Sequence, residues 1–189
     1  MAMTVRSAAP FDGDGVLTLA EAKAHLRRTD NDEDLLIVSL RDAAIDWVER
    51  DTSKALTSRS FVAMFDDFDY RLRLPVGPIT AVTSVTYLDG DGISQLLAGS
   101  DYRLAGDVLH AAGVWPTSLW GSAAGAVTVT FTAGFADVNA EAPGLVAAVK
   151  MLLASYYANR GAVQIGQTAV ETSLSVRALC DQHRAMVIA

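Results

Sequence analysis

The chain has 189 residues, 51% of them hydrophobic, with 15 Lys and Arg against 22 Asp and Glu for a formal charge of −7. That length and apolar content suit one domain, or one domain carrying a sizeable insertion, and argue against disorder throughout. The acidic balance and scattered basic residues argue against ordinary DNA binding, whose affinity comes mainly from clustered Lys and Arg releasing counterions; DNA sliding through an acidic channel stays compatible with it.

Residues 1–15 hold Pro10 and Asp12-Gly13-Asp14-Gly15 without apolar periodicity and read as a flexible or partner-ordered arm. Thr18, with Glu21 three residues on, forms a capping box and starts a helix running to about Arg28. Asp30-Asn31-Asp32-Glu33-Asp34 follows, and Asn31 or Asp32 is expected to cap a second helix from about Asp32 to Asp51. Its predicted core stripe is Leu36, Ile37, Leu40, Ala43, Ala44, Trp47 and Val48, with Arg41, Asp42, Asp46, Glu49 and Arg50 on the solvent side. Between about 57 and 135 the period changes to alternation. Strands are predicted at Phe61–Phe65, Arg71–Leu74, Val82–Leu88, Ile93–Leu97, Tyr102–Leu104 and Val127–Phe131, with Asp89-Gly90-Asp91-Gly92 turning a hairpin. Pro143 opens a core helix that Gly161 ends, and a short helix from about Ser173 to Met186 needs something to dock on. The fold class is therefore α+β: a small helical bundle of the N-terminal pair and the C-terminal helix, a β-rich insertion, and a C-terminal docking segment at 173–189, with 16–172 as the main domain.

Four segments in series, LTLAEAKAHLR followed by D.DEDLLI, VTSVTYLDGDG, AVTVTFTAGF and P.LVAAVKMLLASYYANR, resemble the head-tail connector (adaptor) proteins of long-tailed bacteriophages, prophages and gene transfer agents, over roughly Val16 to Arg184. The resemblance implies a ring of identical subunits, usually twelve, beneath the portal and joined to the stopper or tail. It also implies DNA passing through without sequence-specific binding, no enzyme activity, no cofactor and no membrane. Assembly would occur in the bacterial cytoplasm, and the final place would be the neck of the particle. The family's C-terminal segment commonly engages the portal, which here points to Val176, Leu179, Cys180, His183 and Val187. Charges of both signs, Arg27, Arg28 and Arg41 against Asp32, Glu33 and Asp34, are candidates for the contact between subunits.

No apolar run approaches the ~20 residues that cross a bilayer, and the N-terminus lacks the apolar core of a signal peptide. The single cysteine, Cys180, leaves no intramolecular disulfide and no multi-cysteine metal site. The two Asp-Gly runs lack a calcium loop's twelfth-position ligand, and Asp66, Asp67 and Asp69 read as a solvated loop. His25, His110 and His183 fall in separate elements, and there is no phosphate-binding loop. Cys180 and His183, three apart on one helix, read as packing ahead of a dyad. Two rivals remain: a small-ligand or carbohydrate module built on Trp115 and Trp120, and a hydrolase using His110 or His183.

Overall fold

The computed structural model describes residues 3–8, 12–120, 125–159 and 174–184. Helices and two antiparallel sheets make the chain α+β, as expected. It divides into two compact units, residues 12–57 with 136–189, and residues 1–11 with 58–135. The second holds both sheets and takes in residues 1–11, which were expected to form an arm.

In the helical unit, α1 (Leu19–Leu26) starts at the predicted capping box. The Glu21 N–H donates to Thr18 Oγ1 at 3.3 Å and the Thr18 N–H donates to Glu21 Oε2 at 3.0 Å. Hydrogen bonds from the Thr18 side chain and backbone hold the Glu21 carboxyl below its ordinary pKa. A lowered folded-state pKa gives stability that is present above the unfolded value and lost as pH falls through the folded one. Thr18→Ala is expected to destabilise the chain by about 1 kcal/mol at neutral pH. The same variant should show a shallower loss of stability on acidification; urea melts at neutral and acid pH check both.

Helix α2 (Asp34–Thr52) has Glu33 at its N-cap with no side-chain cap. The expected caps are not used: the Lys23 ammonium takes the Asn31 side chain at 2.6 Å together with Asp34 at 2.7 Å, and Asp32 is exposed. Its buried line is Ile37, Arg41, Ala44, Ile45, Val48 and Thr52. The predicted stripe is thus rotated: Leu36, Leu40 and Trp47 are half-buried, Ala43 is exposed, and Arg41 lies inside.

A short α3 (Val138–Glu141) is capped by Asp137, which accepts from the Asn139 and Ala140 N–H groups at 3.0 and 3.3 Å. Pro143 opens α4 (Pro143–Ala158) as predicted, and this helix buries Leu145, Val146, Ala148, Val149, Leu152 and Leu153. At about 1.5–3 kcal/mol for each large aliphatic side chain, α4 is the main source of apolar stabilisation here. Helix α1 packs on α2 and α4, and α5 (Leu174–Asp181) packs on α4 and α2. Gly161 lies outside the described residues.

In the β unit one sheet has the order β1-β2-β8-β4-β5, from β1 (Met3–Ser7), β2 (Arg59–Phe65), β4 (Ile79–Leu88), β5 (Ser94–Leu96) and β8 (Val127–Ala133). A smaller sheet has the order β3-β7-β6, from β3 (Leu72–Arg73), β6 (Tyr102–Ala105) and β7 (Val108–Ala111). Alternation decides the faces: Phe61, Ala63 and Phe65 of β2 and Val127, Val129, Phe131 and Ala133 of β8 are buried, with the threonines between the β8 residues turned the other way. Residues 3–7, expected within an arm, are an edge strand antiparallel to β2. The edge of β2 away from β8 gives main-chain partners to a segment whose own pattern is too short to read.

Candidate assembly surface

The acidic corner between α1 and α2 is knitted within the chain. Arg28 meets Asp30 at 3.0 Å and Glu33 at 3.3 Å, Lys23 meets Asp34, and the Tyr157 hydroxyl donates to Glu33. Nearby acids, Asp30 first, raise the Arg28 pKa. Of the residues suggested for a contact between subunits, Arg27, at the left-handed C-cap of α1 (φ 55°), and Asp32 are exposed, while Arg28, Glu33 and Asp34 already have partners in their own chain.

Arg41 is a correction to the sequence reading. Its side chain is 5% exposed and donates to Asp14, to Asp42 at 2.8 Å and to the Leu17 carbonyl at 3.0 Å. Burial works against its charge, but the hydrogen bonds to Asp42 and Asp14 outweigh that and lift its pKa. It fastens the turn before α1 to α2 and is not a surface charge. The Asp12–Gly15 run is accordingly a turn: Asp12 Oδ1 accepts the Gly15 N–H at 3.1 Å, and the Leu17 N–H donates to the Gly13 carbonyl at 3.0 Å.

The C-terminal stripe also faces its own chain. Val176 and Cys180 are buried, and Leu179 and His183 sit beside Gly144 at the start of α4, where an added Cβ would lie 3.8 Å from Leu179 Cδ2 and 3.6 Å from His183 Nε2. Arg184 donates to Asp51 of α2 at 2.5 Å and to Asp181 at 2.8 Å. Val187 lies outside the described residues. The partner this helix needs is supplied by α4 and α2, and its outward side carries Leu174, 84% exposed.

Burial, reinforced by the Asp51 carboxylate, pushes the Cys180 thiol up to about 11. With the folded pKa above the unfolded one, the stabilisation is complete below the unfolded value of 9.0 and is lost as pH rises towards about 11. We expect a loss of up to about 2–3 kcal/mol across that alkaline window, absent in Cys180→Ser. Denaturant midpoints measured across the window, with slow reaction of the native thiol toward a thiol reagent, check this.

The residues of the rival readings are not brought together. In the Asp89–Gly92 hairpin, Asp89 accepts from the Asp91 and Ile93 N–H groups and from Gln95 Nε2 at 2.7 Å; the Gln95 bond leads in holding its carboxyl below the usual pKa. Asp66, Asp67 and Asp69 accept from separate backbone N–H groups, those of Gly125, Phe68 and Tyr70. No group of three or more metal-ligating side chains occurs among the described residues. Trp115 stacks on Phe68 at 4.7 Å, and the Trp120 ring lies where a Cβ on Gly92 (φ 77°) would be, so each indole packs against its own neighbour. His110 borders a shallow cavity of about 240 Å³ with Tyr70, Arg103, Ala111, Gly113, Val114 and Trp115, a lining without serine, cysteine or carboxylate. His25 is exposed on α1 and His183 follows α5. No described helix is long and apolar enough to cross a membrane.

The exposed large apolar side chains include Leu35 at 87% exposure, Tyr70 and Val114 beside the cavity, and Ile93, Leu96 and Trp120 around the β4–β5 hairpin.

No family model matches the sequence, and no curated protein does. Solved structures do match. The chain is 28% identical to a chain in the neck of an empty GTA particle computed with C6 symmetry, 29% identical to one in the virion of a native gene transfer agent particle, and 28% identical to one in the neck of a native GTA particle computed with C12 symmetry. Each match has a TM-score of 0.76 and covers 98% of this chain and 97% of the other. The resemblance to head-tail connectors seen in four sequence segments therefore extends to the whole fold.

Proposed function

We propose that this chain is a structural subunit of the neck of a phage-like particle, a head-tail connector without enzymatic activity. The observation that carries the reading is a likeness over nearly the full length of both chains, including both compact units. Symmetric neck assemblies among the matches support a ring of identical subunits, twelve in the finer reading, between the portal and the stopper or tail. Such a ring closes through a heterologous interface, and the exposed apolar residues and the exposed charges Arg27 and Asp32 are available for it. An acidic subunit of charge −7 leaves passing DNA without a strong hold. Portal engagement falls to the C-terminal region, through the outward side of α5 around Leu174 and not through Val176 or Cys180.

Purification of particles from cells producing a tagged chain tests this. The chain should copurify in fixed stoichiometry with capsid, portal and tail proteins, and its deletion should leave filled or empty heads without tails. Normal tailed particles from the deletion strain would overturn the reading.

A further inference from the structure

We propose that β1 is an exchangeable strand, which pairs with β2 of its own chain in the free subunit and with β2 of a neighbouring copy in the assembled ring; this rests on the ring reading above. Three observations carry it. Thr4, Val5, Arg6 and Ser7 are all exposed, Val5 at 37%, and β1 keeps a main-chain ladder to β2 that the Ala8 N–H extends by donating to the Ser60 carbonyl at 2.9 Å. A stretch whose side chains from Thr4 to Ser7 lie in solvent can leave and return at little cost in buried apolar area.

The chain path is the second. Residues 1–11 belong with 58–135, yet the chain runs on from them directly into the other compact unit at Asp12. Ala9-Pro10-Phe11 is all the sequence between the described residues of the two units here, so β1 is covalently joined to one unit while it pairs within the other. Exchange of such a strand is a low-cost route to association, because the contacts made between copies are those already made within one.

The acceptor is the third. On its far side β2 pairs with β8 along its whole length, from Arg59 opposite Ala133 to Phe65 opposite Val127, so the edge that receives β1 is fixed whether or not β1 is present. In a ring every copy carries both the strand and the edge, and exchange in one rotational sense links all of them with no free end. Dilute protein favours pairing within one chain, whereas neighbours fixed in a ring supply a high effective concentration of the alternative edge.

Thr4 lies directly opposite Met64, and opposed strand residues have Cα atoms about 4.5–5.5 Å apart, within disulfide reach. The test is the double variant Thr4→Cys/Met64→Cys, with Cys180 left in place because it is buried. Oxidised as dilute protein, it should close within single chains, which verifies the register; failure to close there would overturn the pairing itself. Necks assembled from the same variant and oxidised should give a ladder of covalently linked subunits on a non-reducing denaturing gel. Necks that yield only internally closed monomers would overturn the exchange while leaving the ring reading intact. If the dilute variant closes but particles never incorporate it, while wild-type chain is also absent from necks, the ring reading fails and exchange with it. Arg6→Cys/Val62→Cys, the next opposed pair on the same side, serves if the first variant does not fold.

Discussion

Phe131→Ala should lower the stability of the β unit by about 3–5 kcal/mol, the range for truncating a buried aromatic side chain. Phe131 is fully buried on β8, the strand that pairs with both β2 and β4, and its ring stacks on Phe61 with centroids 5.7 Å apart. Phe61 is opposite Phe131 in the ladder, so truncation removes both the transfer energy and the stacked partner, and a sheet pinned on two sides relaxes little into the gap. Phe131→Leu keeps most of the volume and should cost about 1.5 kcal/mol or less. Urea unfolding with an unchanged m-value reads the difference. A loss below about 1 kcal/mol for the alanine variant would mean that this face of the sheet is not a core.

Much of the fold was legible because short-range chemistry settles it. Thr18 and Glu21 are three apart and close a cap with no help from the rest of the chain, and Pro143 ahead of a helical apolar repeat suits a first helical position, where its missing N–H is not needed. The alternation of Val127, Val129 and Phe131 with threonines fixes a half-buried strand. Strand β7 was missed although its signal was present: Tyr102–Ala105 and Val108–Ala111 flank the two residues Gly106 and Asp107, with Gly106 at φ 62°, which is the hairpin pattern of two strands around a Gly-Asp turn. Strand β1 had no local signal, since its partners lie 54 to 62 residues away on β2, from Ser7 opposite Phe61 to Met3 opposite Phe65.

The candidate surface was less legible, for a related reason. Periodicity gives the width of an apolar stripe but not which chain covers it. Val176 and Cys180 were rightly placed on one face of a short helix, and only the packing shows that α4 and α2 of the same chain cover that face. Arg41 was assigned to solvent because it is charged. Its three acceptors come from Asp14, Leu17 and Asp42, two of them more than twenty residues distant, so no window of the sequence displays the site that makes its burial tolerable.

Removing both carboxylates around Arg41 is expected to be worse than removing Arg41 itself. Asp14→Ala with Asp42→Ala leaves a guanidinium in a place with 5% exposure and only the Leu17 carbonyl to receive it, which should cost about 3–5 kcal/mol. Arg41→Ala leaves carboxylates at 70% and 36% exposure that water can serve, so its cost, about 2–3 kcal/mol, comes from the lost packing and the unpaired Leu17 carbonyl. Arg41→Met fills the space without a charge and should be the mildest, about 1–2 kcal/mol. Denaturant melts of the three variants give the order. Neck assembly adds a second reading, because Arg41→Met keeps the fold while deleting the charge. If it folds and enters particles normally, Arg41 holds the turn before α1 onto α2, as the geometry has it. A stable Arg41→Met subunit that fails only to join its neighbours would return this residue to the contact between subunits and show that the ion pairs with Asp14 and Asp42 give way on assembly.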